Sequence, residues 1–337
     1  MGLFDWFKKK AVAPSMFPDI KRVPVDPAFA PILAEYGARE DKETLALCFE
    51  GGGAKGRWQA GFEAYMAEIG LLALVDVMAG TSVGGLNALV TARYMLDSPN
   101  LQAVVDIWRA ITSNSAVYNG QIPDGVLSGL KTVLSGRLGA VSLLDTAPLN
   151  ALVQKHLGGF TKFHIPVFVM ATDYMTRSRK VLGPGTLATD MALATSAVPV
   201  AFPPHNGMFM DGGCVMNCPH TFLIDEQAAT KVIILYCDPD PTKVPPTAVP
   251  PTTLATGTAA IAALFQVQSD RAFEDLEKIA QLRKLQGQDP IEFAHFYPSV
   301  PTGTLLEFGD HPELLQVGYD DAVKYLTPQK VKDLLIA

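Results

Sequence analysis

Apolar and polar positions alternate in blocks that predict strand–helix–strand units. Thr44 to Phe49 is a short, largely apolar run that stops at Glu50 and three glycines, a buried strand entering a tight turn. From Gly56 to Ile69, Trp58, Phe62, Tyr65, Met66 and Ile69 fall on one helical stripe. Val75–Ala79 is a second short strand, and Leu86–Leu96 a largely apolar, buried helix. Strand, helix, strand and helix in such short order require parallel strands with crossover helices. Further on, strands are expected at Ile165–Ala171, Arg179–Leu182, Met208–Met210, Val232–Tyr236 and Phe293–Tyr297. Helices are expected at Met191–Val198, at 254–285, at about 311–326 and at 328–336. The class is therefore α/β, a three-layer α/β/α sandwich around a mainly parallel sheet.

The intervening segments have their own character. Residues 11–43 carry Pro14, Pro18, Pro24, Pro27 and Pro31 and read as an irregular N-terminal arm ahead of a catalytic unit over 44–337. Residues 97–160 are rich in small residues, a composition suited to a mobile cap. Six prolines in 239–251 make a stiff connector.

Composition narrows the function. The chain has 337 residues, a net charge of −7 and about half its residues apolar. Phosphate-backbone binding needs concentrated positive charge, so a nucleic-acid partner is not expected. No stretch reaches the roughly 20 apolar residues of a membrane span. Phe4, Trp6 and Phe7 precede Lys8, Lys9 and Lys10, the reverse of a secretory signal, so cytoplasmic residence is expected. Residues 1–10 instead fit a small interfacial segment for peripheral membrane contact, or a frayed tail. The four cysteines, Cys48, Cys214, Cys218 and Cys237, need not be bridged in a chain this long. Cys214 and Cys218 with His220 make a poor zinc motif, because a second ligand pair is missing nearby.

Three places carry chemistry. Gly80-Thr81-Ser82-Val83-Gly84 sits between a predicted strand and a predicted helix, the setting of a nucleophile elbow. Gly51-Gly52-Gly53-Ala54-Lys55-Gly56 follows the first strand, where consecutive glycines let backbone N–H groups converge on a phosphate or an oxyanion. A P-loop is excluded, since no Gly-Lys-Ser/Thr occurs. The dinucleotide pattern matches formally, but its second strand ends in Gly80-Thr81-Ser82 rather than an acidic residue. For a base the candidates are the six histidines and several aspartates. Asp211 follows a short apolar strand and precedes two glycines, and His205 and His220 flank it.

These motifs, with Ala171-Thr172-Asp173 and Ala194-Thr195-Ser196-Ala197-Val198-Pro199, together resemble the patatin-like phospholipase family over roughly residues 44–240. The resemblance implies a Ser–Asp dyad with Ser82 as nucleophile and Asp211 as base. It implies an oxyanion hole from the N–H groups of Gly52 and Gly53, with Gly51, and no metal or other cofactor. Lys55 takes the family's basic position, to orient the loop, to meet a lipid phosphate or simply to be solvated. The implied substrate is a phospholipid or another acyl ester. Two alternatives stand beside it: a Ser–His–Asp triad using a late histidine such as His295 or His311, and a lipid- or nucleotide-sensing module without catalysis.

Overall fold

Strands β1 (Leu45–Phe49), β2 (Val77–Thr81), β3 (Val167–Asp173), β4 (Ser178–Leu182), β5 (Phe209–Asp211), β6 (Lys231–Leu235) and β7 (Glu292–Phe296) form one sheet. Its order is β4-β3-β2-β1-β6-β7, with β5 attached to β3. Neighbours from β3 to β7 run parallel, while β4 and β5 run antiparallel to β3. The structure is a computed structural model and describes residues 16–39, 43–120, 142–240, 242–243, 253–287 and 290–336.

The helices are α1 (Phe29–Gly37), α2 (Gly56–Glu68), α3 (Val83–Tyr94), α4 (Gln102–Ala110) and α5 (Ala147–Leu157) in the first half. In the second half they are α6 (Ala188–Thr195), α7 (His220–Asp225), α8 (Thr253–Leu285), α9 (Leu314–Tyr325) and α10 (Pro328–Ile336). The central strands β1, β2 and β6 are buried at every position because both sheet faces are covered there. Leu45, Leu47 and Phe49 of β1 join one core with Trp58, Phe62, Leu89 and Tyr319 from α2, α3 and α9. Ala46 and Cys48 point the other way, into a second core with Phe222, Leu223 and Leu276 from α7 and α8. Burying each large side chain contributes about 1.5–3 kcal/mol. Two cores on opposite faces of one sheet make three layers, as the sequence predicts.

The register of β3 matters most for the site. Thr81, the last residue of β2, pairs with Met170, and Asp211, the last of β5, pairs with Ala171. The ends of β2 and β5 therefore meet at consecutive positions of one strand, although they are far apart in sequence.

Two expectations change. The arm is not irregular throughout: α1 occupies Phe29–Gly37, and Phe29 and Tyr36 are buried in the core, with the Tyr36 hydroxyl donating to Glu43 O at 2.7 Å. The helix expected at Met191–Val198 runs instead over Ala188–Thr195. Pro199 disfavours helical backbone at Val198, and the Ala197 carbonyl accepts from Asp211 N at 2.9 Å. Residues 1–10, part of the expected cap and most of the proline-rich connector lie outside the described residues.

Candidate active site

Ser82 stands between β2 and α3 at φ 54°, ψ −129°, in the positive-φ region that a non-glycine residue occupies only when its surroundings hold it there. The small neighbours make the turn possible. A Cβ on Gly84 would lie 2.4 Å from Glu50 O, and one on Gly80 would lie 2.3 Å from Gly84 O. Thr195 supplies the restraint: Ser82 N donates to Thr195 Oγ1 at 2.9 Å, and that hydroxyl donates to Met170 O at 2.6 Å. Replacing Thr195 by Val would strand a buried N–H and a buried carbonyl, at roughly 1–3 kcal/mol each. We expect Thr195→Val to lower the Tm and cut ester turnover at least about tenfold, with Thr195→Ser retaining most of both. Calorimetry and a p-nitrophenyl ester assay check this, and an unaltered Thr195→Val enzyme would contradict it.

Asp211 is fully buried and is held at every backbone and side-chain position but one. Its N–H donates to Ala197 O, its carbonyl accepts from Thr172 Oγ1 at 2.8 Å, and Oδ1 accepts from Gly213 N at 2.8 Å. Oδ2 makes no hydrogen bond. The Ser82 hydroxyl is the side-chain donor near enough to affect this carboxyl, in an approach looser than a formed hydrogen bond. Burial pushes the carboxyl up to about 7, against smaller downward pulls from Ser82 and Gly213 N. Such a group exchanges its proton near neutral pH.

The glycine loop packs directly on the elbow, where a Cβ on Gly51 would lie 3.0 Å from Ser82 Cβ. Gly51 does not belong with the expected donors. Its N–H donates to Asn217 O at 3.0 Å, and its carbonyl accepts from Asn217 Nδ2 at 3.2 Å. Asn217 thus clamps the loop and leaves Gly52 and Gly53 as the N–H groups without such a partner. Gly53 has φ +59°, and a Cβ there would lie 1.9 Å from Leu305 O, so both backbone and space demand glycine. The solvated reading of Lys55 is also set aside: its ammonium is mostly buried and binds both oxygens of Asp238, at 2.6 and 2.8 Å. It ties the loop to the segment after β6.

The cysteines and histidines are arranged differently from the sequence expectation. Cys218 and His220 associate with Cys48, not with Cys214: Cys48 Sγ lies 3.7 Å from Cys218 Sγ, and His220 Nδ1 lies 3.3 Å from Cys218 Sγ. Among the described residues this buried trio is the group that could hold a metal ion. His311 pairs with Glu313, His205 with Asp190, and His295 Nδ1 lies 3.0 Å from the Tyr236 hydroxyl. His156 borders the same cavity as Ser82, with its Nδ1 2.9 Å from the Tyr94 hydroxyl.

That cavity, of about 90 Å³, is apolar apart from a few groups and includes Ser82, Gly53, Leu86, Trp108, Leu306 and Phe308 in its lining. A larger groove, of about 740 Å³, runs along β7 beside His295 and Lys324 but touches neither Ser82 nor Asp211. Reactive groups, not size, single out the smaller one.

The mainly parallel sheet makes this an α/β protein with a strained serine at a strand end and a buried aspartate near it. The family model for patatin-like phospholipase matches residues 47–224, and the chain belongs to that family of lipid hydrolases. It is similar to patatin-like phospholipase domain-containing protein 7 of Mus musculus and of Rattus norvegicus, 23% identical over 291 residues in each case. The match covers 82% of this chain and 20% of those proteins, so the chain spans about a fifth of their length. Among solved structures it is similar to VipD from Legionella pneumophila (13% identity, TM-score 0.41, covering 87% of this chain and 67% of that one). It is also similar to human GIVD cytosolic phospholipase A2 in complex with methyl gamma-linolenyl fluorophosphonate (9% identity, TM-score 0.45, covering 91% and 62%). None of the described helices is long and apolar enough to cross a membrane.

Proposed function

We propose that this chain hydrolyses acyl esters of lipids through an acyl-serine intermediate, using Ser82 and Asp211 as a dyad. The observation that carries this reading is the buried Asp211 carboxyl, with one oxygen free of hydrogen bonds and the Ser82 hydroxyl as its nearby side-chain donor. Ser82 Oγ attacks the ester carbonyl while its proton passes to Asp211. The negative charge on the former carbonyl oxygen is met by the N–H groups of Gly52 and Gly53. Collapse breaks the ester bond, and Asp211 returns the proton to the leaving alcohol. Water then attacks the acyl-serine, again giving its proton to Asp211; collapse breaks the acyl–Oγ bond, Asp211 returns that proton to Ser82 Oγ, and the freed fatty acid leaves. Asn217, Thr195 and Lys55 position these groups. The catalytic unit extends over 44–337, because Leu306 and Phe308 help to enclose the cavity beside Ser82.

The base form of Asp211 is the ionised one, so activity rises with pH. With its carboxyl pushed up to about 7, kcat/KM is expected to climb through an apparent pKa of about 7 and level off above it. An ordinary aspartate would place that limb near 4. A pH–rate profile on a soluble p-nitrophenyl ester checks this, and a limb near 4 would remove the argument for a buried base.

A further inference from the structure

Resting on the reading of Ser82 as the nucleophile for lipid esters, we propose a docking surface for an anionic lipid bilayer. It is the β3–β4 turn with the segment entering β5. Tyr174, Met175 and Met208 enter the interface, and Arg177 and Lys180 meet the headgroups.

The register puts this surface at the catalytic end of the sheet. Thr81, next to Ser82, pairs with Met170, and Asp211 pairs with Ala171. β3 runs on to Asp173 and the chain turns at Tyr174. Tyr174 is three residues past Ala171, so the turn stands about 10 Å beyond the level of Asp211. Tyr174 N donates to Met208 O at 3.2 Å, which joins the turn and the approach to β5 into one projecting edge. The edge is preformed. Asp173 Oδ1 accepts from Met175 N at 2.9 Å and Thr176 N at 3.1 Å, and the Tyr174 hydroxyl donates to Gly207 O at 2.5 Å.

Its side chains suit an interface. Met175 is 69% exposed, and Tyr174 and Met208 are each 39% exposed, so this apolar surface is spent on neither core. Val200, also exposed, stands in the chain between Val198 and Phe202, which both line the cavity beside Ser82. Residues 174–180 hold three cations, Arg177, Arg179 and Lys180, and no acid, in a chain whose net charge is −7. The neighbouring carboxylates are already engaged, Asp173 by the turn N–H groups and Glu226 by Arg179. Arg177 and Lys180 are exposed and form no ion pair among the described residues. An apolar tip flanked by cations matches an anionic bilayer, where each cation near the surface strengthens binding about fivefold. The occupant is a bilayer rather than an acidic protein because the edge rises beside Ser82, and docking there brings a lipid ester to the serine.

The test is co-sedimentation with vesicles of phosphatidylcholine alone and of phosphatidylcholine with phosphatidylglycerol in equal parts. Wild type is expected to bind the mixed vesicles more tightly, and less so as salt is raised. Met175→Asp should weaken that binding at least about tenfold, and Arg177→Gln with Lys180→Gln at least about tenfold. Both should keep wild-type turnover of a soluble p-nitrophenyl ester, and Ser82→Ala should bind vesicles as wild type does. Wild type that ignores mixed vesicles, or variants that bind them within twofold of wild type, would overturn the surface. Binding kept in these variants but lost on deleting residues 1–10 would overturn it too, by moving the contact to that segment. A wild type that binds vesicles but takes no fluorophosphonate at Ser82 would overturn the nucleophile and leave the surface standing.

Discussion

Asn in place of Asp211 is expected to lower kcat/KM by about 10³–10⁴-fold while raising the Tm at pH 8. The loss follows from removing the carboxylate that stands near the Ser82 hydroxyl; an amide has the same shape and can still accept from Gly213 N, but it binds no proton at neutral pH. The gain in stability has a definite sign. The carboxyl's ordinary value of 3.8 is raised to about 7 by burial. As pH rises from about 4 to about 7, the unfolded chain has already released this proton and the folded chain has not. Stability therefore falls across that window and stays low above it. Asn carries no such penalty, so the variant's advantage is absent below pH 4, grows to pH 7 and then levels off, on the order of 2–4 kcal/mol. Burial likewise raises Glu50 to about 7 and Glu63 to about 8, so their amide variants should stabilise with the same sign. Calorimetry between pH 4 and 9, with turnover measured on the same samples, checks both halves. An Asp211→Asn enzyme that kept its activity, or whose Tm at pH 8 did not rise, would count against the buried base.

Gly53→Ala is expected to cost about 10²–10³ in kcat, the scale of losing one oxyanion donor. The backbone at Gly53 has φ +59°, and an added Cβ would fall 1.9 Å from Leu305 O and 2.9 Å from Leu305 C. Those atoms are backbone and cannot turn aside. Either the glycine loop or the 305–308 segment must shift, and each shift moves the Gly53 N–H relative to Ser82. Gly207→Ala is the control: φ is +68° there, but nothing lies within 4 Å. It should show the backbone penalty alone, about 1 kcal/mol, with kcat retained. A Gly53→Ala enzyme with kcat within threefold of wild type would show that this N–H does not serve the oxyanion.

The parts legible in the sequence were those encoded locally. The Leu45–Phe49 run reads as a doubly buried strand because each of its side chains has a core to enter. Gly80-Thr81-Ser82-Val83-Gly84 reads as an elbow because bulk at Gly80 or Gly84 would collide with backbone. What escaped depends on pairing across long stretches of chain. That Thr81 and Asp211 end on adjacent residues of β3 is a matter of register, which no local pattern carries. Thr195 lay inside a quoted motif, but its grip on Ser82 N spans 113 positions. Gly51 left the donor set because its N–H donates to the carbonyl of Asn217, 166 positions away. Lys55 found Asp238 and Cys48 found Cys218 in the same way. That Leu306 and Phe308 line the cavity beside Ser82 had no sequence signal, since apolar residues in a loop look alike whether they cover a core or a cavity.

The most direct measurement is the site and rate of modification by a fluorophosphonate, read by intact and peptide mass. One adduct per chain, on Ser82, is expected, forming at least about 10²-fold more slowly in Asp211→Asn and at near wild-type rates when each of the six histidines is replaced in turn. An adduct elsewhere, or a rate that collapses with His156 or another histidine while Asp211→Asn labels normally, would contradict the Ser82–Asp211 dyad.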